Sequence, residues 1–296
     1  MILLLGGTIE GKELAVKLKD LGYSFISTVV TDYGKELALQ AVSAPCFNWS
    51  SSSSSSSYVS GSGSASLPSV SGSGPGPCGD QVIQGALDEN SLGRLMVERE
   101  ITVVIDATHP FAEKASLNAR AAATKSNVEY IRYERPVLEI PANSLIHKVC
   151  GFPEAAAEMV KHGEVIFMAT GVNHLEIFVR AAAEAGRQLV VRVLPVYTSL
   201  HKCSEMGLKP SQIIAIQGGG SLELNKILLQ EFSASLLVTK DSGDAGGTVN
   251  KINAALELNL PVILIERPSV NSNHEHKVYN SVEEILRYIS QNNYSV

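Results

Sequence analysis

The stretch Leu5-Gly-Gly-Thr-Ile-Glu-Gly11 sets glycines at 6, 7 and 11 around Thr8, directly after an apolar run. A glycine-rich turn between a strand and a helix offers a phosphate backbone N–H groups and the positive end of a helix dipole. The usual dinucleotide spacing would place glycines at 6, 8 and 11. Thr8 breaks it, supplying a hydroxyl for phosphate or ribose while restricting backbone approach. Nucleotide binding and a tight structural turn are both open. Thr31-Asp-Tyr-Gly34 follows the next apolar run, where an acidic residue commonly bonds the adenosine ribose. Asp32 fits that role, with an N-cap or turn aspartate as the alternative. Lys35 could instead meet a 2′-phosphate.

Asp106-Ala-Thr-His-Pro-Phe-Ala112 places His109 just past a strand, where ligands of open α/β sheets bind. Pro110 fixes a helix start and leaves the imidazole at the mouth of a cleft. A capping or solvated histidine is the plainer reading. Thr239-Lys-Asp-Ser-Gly-Asp-Ala-Gly-Gly-Thr248 is another strand-to-helix loop, whose Lys240 and consecutive amides suit a carboxylate or phosphate. Its alternative is a flexible turn. Ile214-Ala-Ile-Gln-Gly-Gly-Gly-Ser221 is a third such loop. Arg192 and Arg267 also end strands and could line the cleft, or be solvated at the surface.

These loops need strands and helices to position them. Apolar runs at Ile2–Leu5, Phe25–Val30, Val103–Asp106, Val128–Arg132, Val165–Ala169, Leu189–Val193, Ile213–Ile216, Leu236–Thr239 and Val262–Ile265 predict strands. Stretches with apolar residues three and four apart lie between many of them. Strands apolar on both faces that alternate with helices indicate parallel α/β architecture. The number of strands calls for two Rossmann-like parallel-sheet domains with a cleft between them. Residues 1–137 are expected to hold a cofactor and 142–296 to form the substrate side. The break falls at Arg135-Pro136…Ile140-Pro141. Val128-Glu-Tyr-Ile-Arg-Tyr-Glu-Arg-Pro136 echoes Leu260-Pro-Val-Ile-Leu-Ile-Glu-Arg-Pro268, which suggests related halves. Residues 49–79, with eight consecutive serines, cannot bury enough apolar surface to offset ordering, and read as a disordered Ser/Gly insertion without a catalytic role.

Composition narrows the function classes. The 296 residues, 45% hydrophobic with a net charge of −6, argue against a general nucleic-acid or membrane-surface binder. An anionic substrate would need locally clustered Lys and Arg. No apolar run reaches the roughly 18–20 residues that span a bilayer, and Met1–Leu5 reads as a buried strand rather than a signal peptide. The four cysteines are scattered without a C-x-x-C pair, so no metal site is expected and a reducing cytoplasm is the expected setting.

Taken in order, the motifs resemble the precorrin-6A reductase family of cobalamin biosynthesis, including its cobalt-precorrin-6A form. The matching stretches are Leu-Gly-Gly-Thr-x-Glu at 5–10, Asp-Ala-Thr-His-Pro-Phe-Ala at 106–112 and Arg-x-x-Arg-Pro at 132–136. Arg-Val-Leu-Pro at 192–195, Glu-Leu-Asn at 223–225, Thr-Lys-Asp-Ser-Gly at 239–243 and Pro-Val-Ile-Leu-Ile-Glu-Arg-Pro at 261–268 complete the pattern. The chain departs from the family at Gly218-Gly-Gly-Ser221, where Gly-Pro-Phe-Ser is usual, and in the serine tract.

The resemblance implies reduction of one macrocycle double bond by hydride from NADPH or NADH. Gly6, Gly7, Thr8, Glu10, Thr31, Asp32 and Thr108 would hold the cofactor. Arg135, Arg192, Lys240, Asp241, Ser242, Gly243 and Arg267 would hold the acetate- and propionate-bearing tetrapyrrole. His109 is the candidate proton donor or substrate orienter, and other enzymes of the pathway are candidate partners. Two alternatives stand beside this: another NAD(P)-dependent small-molecule reductase, or a two-lobed ligand-binding protein without chemistry. A short-chain dehydrogenase is disfavoured, because no tyrosine is followed by lysine four residues on.

Overall fold

Four-residue runs such as Ile-Leu-Leu-Leu are too short for a helix and apolar at every position, which suits strands covered on both faces. A computed structural model describes residues 1–43, 81–136, 138, 140, 142–243, 246–268, 276–292 and 294. The serine-rich tract expected at 49–79 lies outside the described residues. In chain order the first elements are β1 (Ile2–Leu5), α1 (Ile9–Asp20), β2 (Phe25–Val29), α2 (Asp32–Ser43) and β3 (Gln81–Gln84). Next come α3 (Glu89–Glu98), β4 (Val103–Asp106), α4 (Glu113–Lys125) and β5 (Glu129–Tyr133).

The chain continues through β6 (Ile146–Val149), α5 (Phe152–His162), β7 (Val165–Ala169), α6 (Leu175–Glu184) and β8 (Gln188–Val193). There follow α7 (Tyr197–Glu205), β9 (Ile213–Ala215), α8 (Leu222–Glu231), β10 (Leu236–Lys240), α9 (Thr248–Glu257) and β11 (Val262–Ile265). It closes with β12 (Lys277–Tyr279) and α10 (Val282–Gln291).

Two six-stranded sheets result, ordered β12-β5-β4-β1-β2-β3 and β6-β11-β10-β7-β8-β9, with every pairing parallel. Each sheet reads 3-2-1-4-5 outward from a central first strand, the doubly wound order, with a sixth strand at its edge. The sixth positions are exchanged: β6, made after β5, completes the second sheet, and β12, made after β11, completes the first.

Alternate residues of each strand enter opposite cores. Ile2, Leu4, Phe25, Val103 and Ile105 pack with Ile285 and Ile289 of α10 on one face of the first sheet, and Leu3, Leu5, Ile26 and Val104 with Leu92 and Met96 of α3 on the other. The second sheet repeats the arrangement, with Ile166, Met168 and Val238 on one face and Phe167, Leu237 and Leu264 on the other.

The chain divides into two compact units, one of Met1–Thr108, Ala115–Tyr133 and His276–Val296, the other of His109–Lys114 and Glu134–Glu275. The division expected from the sequence ran once, from 1–137 to 142–296. β12 and α10 instead return to the first sheet, because Val282, Ile285 and Ile289 complete its core. The echo ending in Glu-Arg-Pro marks equivalent places, since β5 and β11 are each the fifth strand.

Candidate functional site

In a doubly wound sheet the ligand crevice lies at the carboxyl ends of the strands, where the order reverses. In the first unit that point lies between β1 and β4, and it gathers the loops after Leu5 and Asp106. Gly7 has φ +95, a conformation glycine adopts freely. A Cβ on Gly34 would lie 3.0 Å from Gly7 Cα, and one on Gly11 3.1 Å from Gly6 Cα. The β1–α1 and β2–α2 turns therefore meet backbone to backbone. Such a surface lets a flat or phosphorylated ligand approach the first amides of α1.

Thr8 is the N-cap of α1. Its hydroxyl accepts from Gly11 N at 3.0 Å and donates to Ala107 O at 2.8 Å. The hydroxyl that the sequence offered to phosphate or ribose thus fixes the two loops to each other. Thr31 accepts from Gly34 N at 3.0 Å, as a cap would, so Asp32 is left to begin α2 and its exposed carboxylate takes a bond from Gln84 at 2.7 Å. Glu10 lies in the first turn of α1.

Thr108 belongs to a buried network below these loops. Asp106, fully buried, pairs with Arg132 at 2.7 Å and accepts from Tyr130 at 2.6 Å and from Thr108 N at 2.9 Å. Burial alone would raise its pKa. Arg132 and the hydrogen bonds from Ser116, Tyr130 and Thr108 outweigh that and hold the carboxyl below its ordinary value. The Thr108 hydroxyl is itself tied to Arg132 and Ser116.

The second unit has its reversal between β7 and β10. Lys240, the last residue of β10, ends there with its ammonium 5.2 Å from the centre of the Phe111 ring. Phe111 meets Phe152 edge-on at 5.7 Å, and Phe152 stacks on His174 at 4.0 Å. His109 lies 5.8 Å from Phe111, and its Nδ1 accepts from Phe111 N at 3.1 Å. Burial, then Arg135, lowers the Lys240 pKa to about 8. Burial, then Lys240, lowers that of His174. The His-Pro-Phe segment and the lysine loop, far apart in sequence, are thus in contact.

Other candidates are tied to one another. Arg267 pairs with Asp241 at 2.9 Å and donates to Arg135 O at 2.6 Å and Pro136 O at 3.1 Å. Arg135 in turn donates to Ser242 O. Asp241 accepts from Gly243 N at 3.2 Å, and Gly243 has φ +74. Arg192 donates to Gly218 O at 2.7 Å, Gly219 O at 3.1 Å and Asn225 at 2.8 Å. Arg192 and Arg267 were each expected to line the cleft or to be solvated at the surface. Buried guanidinium groups require acceptors, and here the loop carbonyls serve.

Sequence reasoning missed Lys251, His174 and Phe152. Lys251 was findable as a lysine on the apolar stripe Thr248, Ile252, Ala255 of α9. His147, Glu158 and His162 also bring ligand atoms within 4.8 Å of one another. Glu158 is already paired with Lys161 and His162, each at 2.7 Å, which accounts for that geometry without an ion.

Residues 59–290 match the family model described as Precorrin-6x reductase CbiJ/CobK. The chain is 39% identical over 212 residues to the cobalt-precorrin-6A reductase of Methanothermobacter thermautotrophicus, covering 71% of this chain and 68% of the relative. It is 31% identical to the enzyme of the same name from Priestia megaterium, covering 97% and 96%. A solved structure described as CobK precorrin-6A reductase superposes with a TM-score of 0.68 at 22% identity, covering 98% and 96%, which shows the shared fold.

Proposed function

This chain belongs to the precorrin-6x reductase family of cobalamin biosynthesis, and from that premise we propose that it reduces one double bond of precorrin-6A, or of its cobalt form, with NADPH or NADH. The observation that carries the residue-level reading is the Lys240 ammonium, set over the Phe111 ring at the reversal point of the second sheet without an ion pair among the described residues, with Phe152 and His174 packed beyond that ring. Phe111 and Phe152 offer faces to a macrocycle, and Lys240 offers a charge to one of its carboxylate arms, a contact worth about 1.5–3 kcal/mol when well made.

The nicotinamide, when bound, supplies the hydride. The residues present fit a dinucleotide: the Gly7–Gly34 approach leaves no side chain where phosphates would pass, and the capped start of α1 presents amides to them. We assign to Asp32, the first residue of α2, the role of accepting from a ribose hydroxyl. The protein's part is to align donor and acceptor carbons and exclude water. A proton must also reach the macrocycle. With Nδ1 accepting from Phe111 N–H, neutral His109 carries its proton on Nε2, a hydrogen-bond donor suited to orienting the substrate; delivery of a proton from this ring requires the imidazolium, which gives up the bond from Phe111. We place the reaction in the cytoplasm, in keeping with the scattered cysteines.

The test is to replace Lys240 in the full chain and titrate the macrocycle. Lys240→Ala should weaken macrocycle binding about tenfold or more and leave nicotinamide binding unchanged. An identical dissociation constant for the macrocycle would remove Lys240 from the site.

A further inference from the structure

We propose that Lys251 and Lys240 together form a carboxylate site at the N-terminus of α9, which receives one acidic arm of the macrocycle. This rests on the reading of the second unit as the substrate side and adds a residue and a place to it.

Lys251 is the fourth residue of α9 and is only 6% exposed, in line with Thr248, Ile252 and Ala255. A buried ammonium is costly unless a counter-charge or acceptors surround it. Among the described residues none gives the Lys251 side chain a hydrogen bond or an ion pair. Among the described residues the charges it feels are Arg192 and Lys240, both of its own sign. Asp241, the carboxylate that begins the same loop, is already taken by Arg267 at 2.9 and 3.1 Å. Burial, then Arg192 and Lys240, lowers the Lys251 pKa to about 7. Thr248 Oγ1, one turn before Lys251, donates to Lys240 O at 3.2 Å, so the end of β10 and the first turn of α9 adjoin, and among the described residues no carboxylate pairs with either lysine.

The backbone around them is shaped for one. α9 begins at Gly247, φ +63, whose missing side chain gives no cap, and Thr248 N donates to Gly243 O at 3.4 Å, so the amides that follow in the first turn carry the positive end of the helix dipole. A Cβ on Gly219 would lie 2.5 Å from Gly247 Cα, so the loop after β9 packs backbone to backbone against the start of α9. Arg192 holds that loop through Gly218 O and Gly219 O and acts as a positioning residue. The loop is where this chain has Gly218-Gly-Gly-Ser221, and a Cβ on Gly220 would come within 3.3 Å of Arg192 Nη2.

Lys251→Met and Lys251→Arg in the full chain test this, with KM measured separately for macrocycle and nicotinamide. Lys251→Met should raise the macrocycle KM about tenfold or more, keep the nicotinamide KM within about twofold, and melt no lower than wild type, because an unpaired buried charge has gone. Lys251→Arg should recover much of the macrocycle affinity. An unchanged macrocycle KM in a folded Lys251→Met enzyme overturns the proposal, as does a rise confined to the nicotinamide KM. A lowered melting temperature with both constants raised assigns Lys251 a structural role and also overturns it. Failure of the wild type itself to oxidise reduced nicotinamide with either macrocycle would instead reject the functional reading beneath it.

Discussion

Lys240 and Lys251 give the folded chain a dependence on pH whose sign can be worked out. Free lysine titrates near 10.5, whereas these two are lowered to about 8 and about 7. Between about 7 and 10.5 the unfolded chain therefore binds more protons than the folded one, so stability of the unliganded protein rises with pH across that window. Melting curves should show this rise, and Lys251→Met should flatten it. A slope unaltered in the variant would mean that Lys251 is not held in that state. Asp106 works in the opposite sense: its carboxyl is held below the ordinary value, so the stability it confers is present at neutral pH and lost as pH falls through the lowered value. Asp106→Asn leaves Arg132 buried without its counter-charge, and chemical denaturation should show a loss of about 3–5 kcal/mol. His109 and Lys240, singled out in the sequence because each lies at a strand's end, both contact Phe111. Lys251 was not singled out, because a lysine within a helix ordinarily reads as a solvated face. The uses of Arg192 and Arg267 were hidden because the carbonyls they bind come from loops distant in sequence.

At the level of elements, the first turn is the test case. Gly7 adopts φ +95, and a branched side chain there would be strained as well as set against the Gly34 backbone. Gly7→Val should lower nicotinamide affinity about tenfold or more while circular dichroism shows both sheets retained. Unchanged affinity in a folded variant would detach the turn from the cofactor. The nine strands read from apolar runs are all present, because strands central to a doubly covered sheet are apolar at nearly every position. The three that were not read, β3 as Gln-Val-Ile-Gln, β6 as Ile-His-Lys-Val and β12 as Lys-Val-Tyr, are short strands at the sheet edges. Edge positions carry polar or charged side chains that discourage further pairing, so the apolar run that announces a strand is missing.

For the whole molecule, the exchange of sixth strands means that the domains cannot be cut apart at one point in the sequence. A chain ending at residue 275 would remove β12 and α10 together with Val282, Ile285 and Ile289 from the first core. That truncation should unfold the first unit and abolish nicotinamide binding, read by limited proteolysis, while fragments of the second unit persist. Equal protection of both units would contradict the division of the core described above. The most direct measurement is the reaction itself. Incubating the full chain with precorrin-6A or its cobalt form, plus NADH or NADPH, allows the absorbance of cofactor and macrocycle to be followed together. Oxidation of one nicotinamide for each macrocycle reduced, weakened in Lys240→Ala by a raised macrocycle KM, is the expected result. No oxidation with either macrocycle, or turnover indifferent to Lys240, would contradict it.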